Sequence, residues 1–217
     1  MKKLICFDMD NTLVYSDKAH IISYNEALAK LGFKKKSKEF LKKLFGMPHL
    51  KIAKIILPKS NKNILNKFLE IHDKILLKKT YKYIKAVSGV RKVLTKLNKN
   101  YDLALLSNCS HETMLATLKG AKINKKYFRI SIGNDDVKYS KPYPDEILKA
   151  EKLEHNKADF IVGDSIYDII AGKKAKVKTI AVLTGNYSKV RLKKYKPDYI
   201  LKSIRELPNL LNEINSE

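Results

Sequence analysis

The feature that most limits what this chain can build is a set of short, unbroken apolar runs, several of which stop on a polar or acidic residue. Residues 4–7 run into Asp8, residues 103–106 into Ser107 and Asn108, and residues 160–162 into Gly163 and Asp164. Residues 179–183 and 199–201 are further runs, and residues 128–132 are a weaker example. Strict alternation of apolar and polar residues would mark strands with one wet face. Continuous runs mark strands covered on both faces, the habit of parallel sheets. Helical stripes lie between the runs. Val90, Val93, Leu94 and Leu97 form one, with Ser88 as the expected N-cap, and Met114, Leu115 and Leu118 form another, closed by Gly120. Ile169, Ile170 and Ala171 sit in a third, and Ile204, Leu207, Leu210 and Leu211 close the chain. Strands alternating with helices predict an α/β fold with a doubly wound, mostly parallel sheet.

Residues 17–82 break this rhythm with helical patterns alone. Ile21, Tyr24, Leu28 and Leu31 form one stripe, ended by Gly32. Phe40, Leu41, Leu44 and Phe45 form a second between Ser37 and Gly46, and Ile64, Phe68, Ile71 and Ile75 a third. A helical insert after the first strand predicts a small cap domain over residues 16–83, with residues 1–15 and 84–217 forming the α/β core. The chain has 217 residues and is 44% hydrophobic, enough for one substantial core and a satellite. Two cysteines, Cys6 and Cys109, cannot make a disulfide framework. They are expected as buried thiols, which suits a reducing, cytoplasmic location. The opening MKKLICFDMD is too short in apolar residues for a signal peptide, and no run is long enough to span a membrane.

Charge is the unusual compositional feature, a net +23 with 17 lysines against five acids inside residues 17–82. Such a surplus admits nucleic acid, anionic lipid or phosphorylated small molecules as partners. The lysines are scattered rather than blocked, which favours an ordinary solvated surface. There is no recognised nucleic-acid motif.

In an open parallel sheet, ligands bind beyond the carboxyl ends of the strands. If the runs are parallel, Asp8, Asp10, Asp164 and Asp168 converge there. Four such carboxylates need a counter-charge, and a hard cation such as Mg²⁺ with oxygen ligands supplies it. Lys141, in KYSKPYPD, adds an ammonium, and Ser107 and Asn108 a hydroxyl and an amide. Acids, a metal, a hydroxyl, an amide and one cationic side chain suit phosphoryl transfer, where positioning and charge neutralisation dominate.

The residues themselves resemble a known family. DMDNT at residues 8–12, LLSN at 105–108, Lys141-Pro142 and GDSIYD at 163–168 resemble, in order, the four motifs of the haloacid-dehalogenase-like hydrolases. The match spans nearly the whole chain. The resemblance implies a Rossmann-like core with Asp8 as nucleophile and Asp10 as general acid and base. It implies Mg²⁺ held by Asp8, Asp10 (through its backbone carbonyl) and Asp164, with Asp168 as a nearby ligand or supporting acid. Ser107, Asn108, Lys141 and Thr12 would serve the phosphoryl group. LFGMPHL at residues 44–50 resembles a cap loop that touches substrate, which brings Gly46 and His49 into the expected site. True dehalogenases of the family lack an acid at the position of Asp10, so phosphate ester chemistry is expected. The implied activity is a Mg²⁺-dependent phosphatase for a small phosphorylated metabolite, phosphoglycolate being the first to try, in a monomer or homodimer. A phosphomutase is the alternative enzyme, and a nucleic-acid-binding protein on the same fold the alternative class.

Overall fold

The structure is a computed structural model and describes residues 2–216. The chain opens with β1 (Lys3–Asp8) and a two-residue strand, β2 (Val14–Tyr15). Four helices follow: α1 (Asp17–Lys30), α2 (Lys38–Lys42), α3 (His49–Ile56) and α4 (Lys62–Ile75). After β3 (Lys85–Ala86) come α5 (Val90–Leu97), β4 (Tyr101–Leu106), α6 (His111–Gly120) and β5 (Ile130–Ile132). The rest is α7 (Asp145–Glu154), β6 (Ala158–Gly163), α8 (Ile166–Ala175), β7 (Lys178–Val182), α9 (Lys189–Lys193), β8 (Tyr199–Leu201) and α10 (Leu207–Ser216).

Six strands form one parallel sheet in the order β5-β4-β1-β6-β7-β8. The expected doubly wound α/β fold is therefore present. The central strand shows why its run is apolar throughout. Ile5 and Phe7 pack into a cluster with Val90, Leu94 and Leu211, while Leu4 and Cys6 pack into another with Ile147, Ala150 and Ala171. The two-residue alternation thus fills two layers of helices. Both cysteines are buried and free. Among the described residues, no helix is long and apolar enough to cross a membrane.

The helices α1–α4 leave and re-enter the core through a two-stranded antiparallel ribbon, Val14 pairing with Ala86 and Tyr15 with Lys85. They enclose an apolar cluster of their own, built from Tyr24, Leu28, Leu41, Ile52, Phe68 and Ile75 among others. Two-residue strands are too short to leave a periodic trace, so sequence reading misses this ribbon. Helix α3 is missed too, because its eight residues start inside the segment read as a loop, and so is α7 behind Pro142 and Pro144.

Two expected helix signals are corrected. The N-cap of α5 is Gly89 at φ 77°, not Ser88. Gly120 does not terminate α6 as a left-handed cap. It is the last helical residue, and Lys122 carries the positive φ at 55°. Its lack of a side chain serves packing instead, since a Cβ there would lie 2.2 Å from the Tyr81 carbonyl oxygen.

Phe68 is fully buried in the helical cluster and stacks on Tyr24 at 5.7 Å between ring centroids. Phe68→Ala is expected to cost about 3–5 kcal/mol, measured by urea unfolding, because the cavity left among rigid helices cannot close.

Candidate active site

Strands β4, β1 and β6 are neighbours, so the loops after their carboxyl ends meet at the point where chain order reverses across the sheet. Beyond β1 the backbone folds back tightly. The Leu13 and Val14 amides both donate to the Met9 carbonyl at 2.9 and 3.2 Å, and the Asn11 amide donates to Val14 at 2.6 Å. This turn needs Asn11 at φ 57°, a left-handed conformation that asparagine tolerates. Asp8 and Asp10 then line one cavity. Thr12 departs from its expected role as a phosphate ligand. It is fully buried, does not line the cavity, and donates its hydroxyl to Asp8 Oδ2 at 3.1 Å. The turn has swung it beneath the carboxylate, where it orients Asp8.

Lys141 is 1% exposed and bridges the two ends of the cluster. Its Nζ donates to Asp8 Oδ1 at 2.6 Å, to Asp168 Oδ1 at 2.8 Å and to the Leu106 carbonyl at 3.4 Å. Asp168 accepts on its other oxygen from the Ser165 hydroxyl at 2.6 Å and the Ser165 amide at 3.1 Å, closing a capping box at the start of α8. Both of its oxygens are thus engaged by protein. Asp164 enters from the end of β6 and is pressed against Gly185, where a Cβ would fall 1.7 Å from Asp164 Oδ2. Only a glycine lets the backbone come this close.

The electrostatics follow from three buried acids sharing one ammonium. Burial raises the Asp8 carboxyl; Lys141 lowers it, and Asp168 and Asp10 raise it again, with the net shift upward. Burial followed by Asp8 and Asp168 likewise pushes Asp164 well above the carboxylate range. Burial acts to discharge Lys141, yet Asp168 and Asp8 outweigh it and hold the lysine charged. One carboxylate oxygen from each of Asp8, Asp164 and Asp168 lies within 4.8 Å of the others. An all-oxygen set with unbalanced negative charge fits a hard dication such as Mg²⁺.

The remaining expected residues surround the same cavity of about 50 Å³, room for a few waters. Ser107, Asn108, Gly46 and His49 all line it. Asn108 Nδ2 donates to the Gly46 carbonyl at 3.1 Å and to the Lys141 carbonyl at 3.3 Å, tying the loop before α3 to the core. Tyr187 adds a bond from its hydroxyl to the Phe45 carbonyl at 3.4 Å. The Ser107 hydroxyl also donates to Cys109 Sγ at 3.1 Å.

Sequence reading takes His20 as a residue that packs beside an apolar stripe and passes over His72. His20 Nε2 sits 3.6 Å from Asp10 Oδ1, and its Nδ1 is 3.1 Å from Nε2 of the fully buried His72. His72 Nδ1 donates to Asp73 Oδ1 at 2.8 Å. The signal for His72 was a polar residue on an apolar face, one turn after Phe68. Burial resists a charge on Asp10, but the neighbouring His20 imidazole and the Ser16 side chain hold its carboxyl below the usual range.

Burial pushes the His72 imidazole down to about 4, only partly offset by Asp73. An unfolded chain takes up that proton near pH 6.5, while the folded chain resists it until about pH 4. The stability from neutral His72 is therefore complete above the upper value and is lost on acidification towards the lower. Asp8 and Asp164 work in the opposite direction, so the His72 share is read as a difference. The gap in melting temperature between wild type and His72→Gln should shrink as pH falls across that window.

Comparison with known proteins identifies the family. Residues 5–182 match the family model for haloacid dehalogenase-like hydrolases. The pyrophosphatase PpaX of Bacillus mycoides is 27% identical over 97% of both chains, and that of Oceanobacillus iheyensis is 29% identical over the same shares. The crystal structure of a hydrolase from Pseudomonas syringae superposes with a TM-score of 0.85 at 25% identity, covering 99% of each chain. The family motifs thus fall where the strand ends converge, and this chain belongs to the haloacid dehalogenase-like hydrolase family.

Proposed function

We propose that this enzyme is a Mg²⁺-dependent phosphatase for a small phosphomonoester, acting through a phosphorylated Asp8. The observation that carries the reading is Lys141 buried between Asp8 and Asp168, with Asp164 beside them and Asp10 two residues past the nucleophile. Asp8, the Asp10 carbonyl and Asp164 would hold Mg²⁺, with Asp168 alongside. The ion would supply positive charge against the transferring phosphoryl oxygens.

The chain's own residues divide the remaining work. Thr12 and Lys141 hold the Asp8 carboxylate in one orientation, so that an oxygen faces the cavity. That oxygen bonds to phosphorus while the ester bond breaks, and the leaving oxygen takes a proton that Asp10 must acquire as the anionic substrate binds, since in the free site His20 favours its ionised form. Asp10, now an anion stabilised by His20, then accepts a proton from water as that water attacks phosphorus. The bond from phosphorus to Asp8 breaks and inorganic phosphate leaves. Ser107 and the Asn108 amide would hydrogen-bond the phosphoryl oxygens, and Lys141 would offset their charge. Residues 16–83 act as a cap, with Gly46 and His49 closing the cavity and lysines drawing in the anion. The small cavity favours a small substrate. The names of the Bacillus mycoides and Oceanobacillus iheyensis relatives put pyrophosphate beside phosphoglycolate in the first substrate panel.

The test is phosphate release from p-nitrophenyl phosphate and from that panel. Activity should require Mg²⁺, vanish in Asp8→Asn, and fall about 10²–10⁴-fold in Asp10→Asn. Full activity in Asp8→Asn would remove the nucleophile, and phosphosugar isomerisation without net phosphate release would turn the reading to a mutase.

A further inference from the structure

We propose that His20, His49 and His72 form a second cation site, for a late first-row transition ion such as Zn²⁺, separate from the carboxylate cluster. The three residues come from α1, α3 and α4, and one nitrogen from each ring lies within 4.8 Å of the other two. His20 Nδ1 and His72 Nε2 are already 3.1 Å apart. Two imidazoles on tetrahedral zinc, with bonds of about 2.0–2.1 Å, stand about 3.3 Å apart. The pair is therefore at ligand spacing before any ion enters.

The outer nitrogens make the case stronger. Histidine ligands of a metal direct their far nitrogen to a carboxylate, which fixes the tautomer and aims the near one. Here His72 Nδ1 faces Asp73 Oδ1 at 2.8 Å, and His49 Nδ1 faces the same oxygen at 3.9 Å. His20 Nε2 faces Asp10 Oδ1 at 3.6 Å, an oxygen that is buried and has no hydrogen-bond partner. All three rings thus turn one nitrogen to a carboxylate, and a shared ion would replace the hydrogen bond that now joins the second nitrogens of His20 and His72. Burial holds both His49 and His72 neutral, the form that ligates. Binding needs one tautomer change, the His20 proton moving from Nδ1 to Nε2 towards Asp10. His49 has a 13% exposed side chain and opens helix α3, so it can swing in by the small distance required. His20 and His49 line the cavity, which gives the ion its entry and a fourth position for water or an anion.

The two clusters sort metals by donor type. Mg²⁺ takes the oxygens of Asp8 and Asp164, whereas imidazole nitrogens select zinc, cobalt or nickel. An ion on the histidines would tie three helices together, so it should raise the melting temperature as its concentration rises.

The experiment is calorimetric titration of the untagged full chain with Zn²⁺ under saturating Mg²⁺, with Co²⁺ absorption as a second readout. A single equivalent of Zn²⁺ should bind, and Co²⁺ should give the intense visible bands of a tetrahedral nitrogen site. Binding should be lost in His20→Gln and His49→Gln, persist in Asp164→Asn, and weaken about 10–100-fold in Asp73→Asn. The wild-type Co²⁺ spectrum needs no variant to fold. Weak octahedral bands, no Zn²⁺ uptake, uptake unchanged in the histidine variants, or uptake abolished by Asp164→Asn would each overturn the site. None of these outcomes depends on phosphatase activity, so the site stands or falls apart from the proposed reaction.

Discussion

The interaction on which the rest of the molecule turns is the ammonium of Lys141, buried between Asp8 and Asp168 at the mouth of the sheet. A buried charge without a partner would cost several kcal/mol, so none of these groups is tolerable alone. Together they oblige three chain segments, the first two 133 residues apart and the last two 27, to end at one place. The strand order meets that demand, because β1 lies between β4 and β6 and shares their direction. Supporting contacts then spread outwards. Thr12 holds Asp8 from below, Ser165 holds Asp168 from the side, and Gly185 yields space to Asp164. Three acids against one lysine form an oxygen-rich set of the kind that suits a hard cation.

A second polar system sits directly opposite, among the helices that leave the core through the β2–β3 ribbon. It consists of His20, His49, His72 and Asp73, stacked against Tyr24, whose ring lies 4.0 Å from that of His72. It meets the first system at Asp10, the acid whose carboxyl turns towards His20 rather than towards Lys141. Asp8 and Asp10 are only two residues apart, yet burial raises one while histidine lowers the other. Opposite environments for neighbouring carboxylates allow one to bond to a substrate and the other to trade protons.

Much of the fold was legible because its signals are local. Each run of the main sheet reads as a strand from three to five residues, and the helical stripes needed only a turn or two. The failures were also local in cause. The ribbon strands are two residues long, and α3 hides within a segment resembling a loop. Gly120 carries an expected capping signal whose actual reason is a distant carbonyl, that of Tyr81. In the candidate site, the acids and Lys141 stood out because they end strands or precede a proline. His20 and His72 did not, because a histidine inside an amphipathic helix looks the same whether it merely packs or faces a carboxylate.

By itself the sequence determined the parallel sheet, the helical segment between its first two long strands, the family, and the acids at the strand ends. Those follow from periodicity and from motifs only a few residues long. Tertiary structure alone decided that Thr12 supports Asp8 instead of lining the cavity, that Gly185 makes room for Asp164, and that three histidines from three helices meet across from Asp10. Such facts depend on distances between segments remote in the chain, and no local pattern encodes a distance.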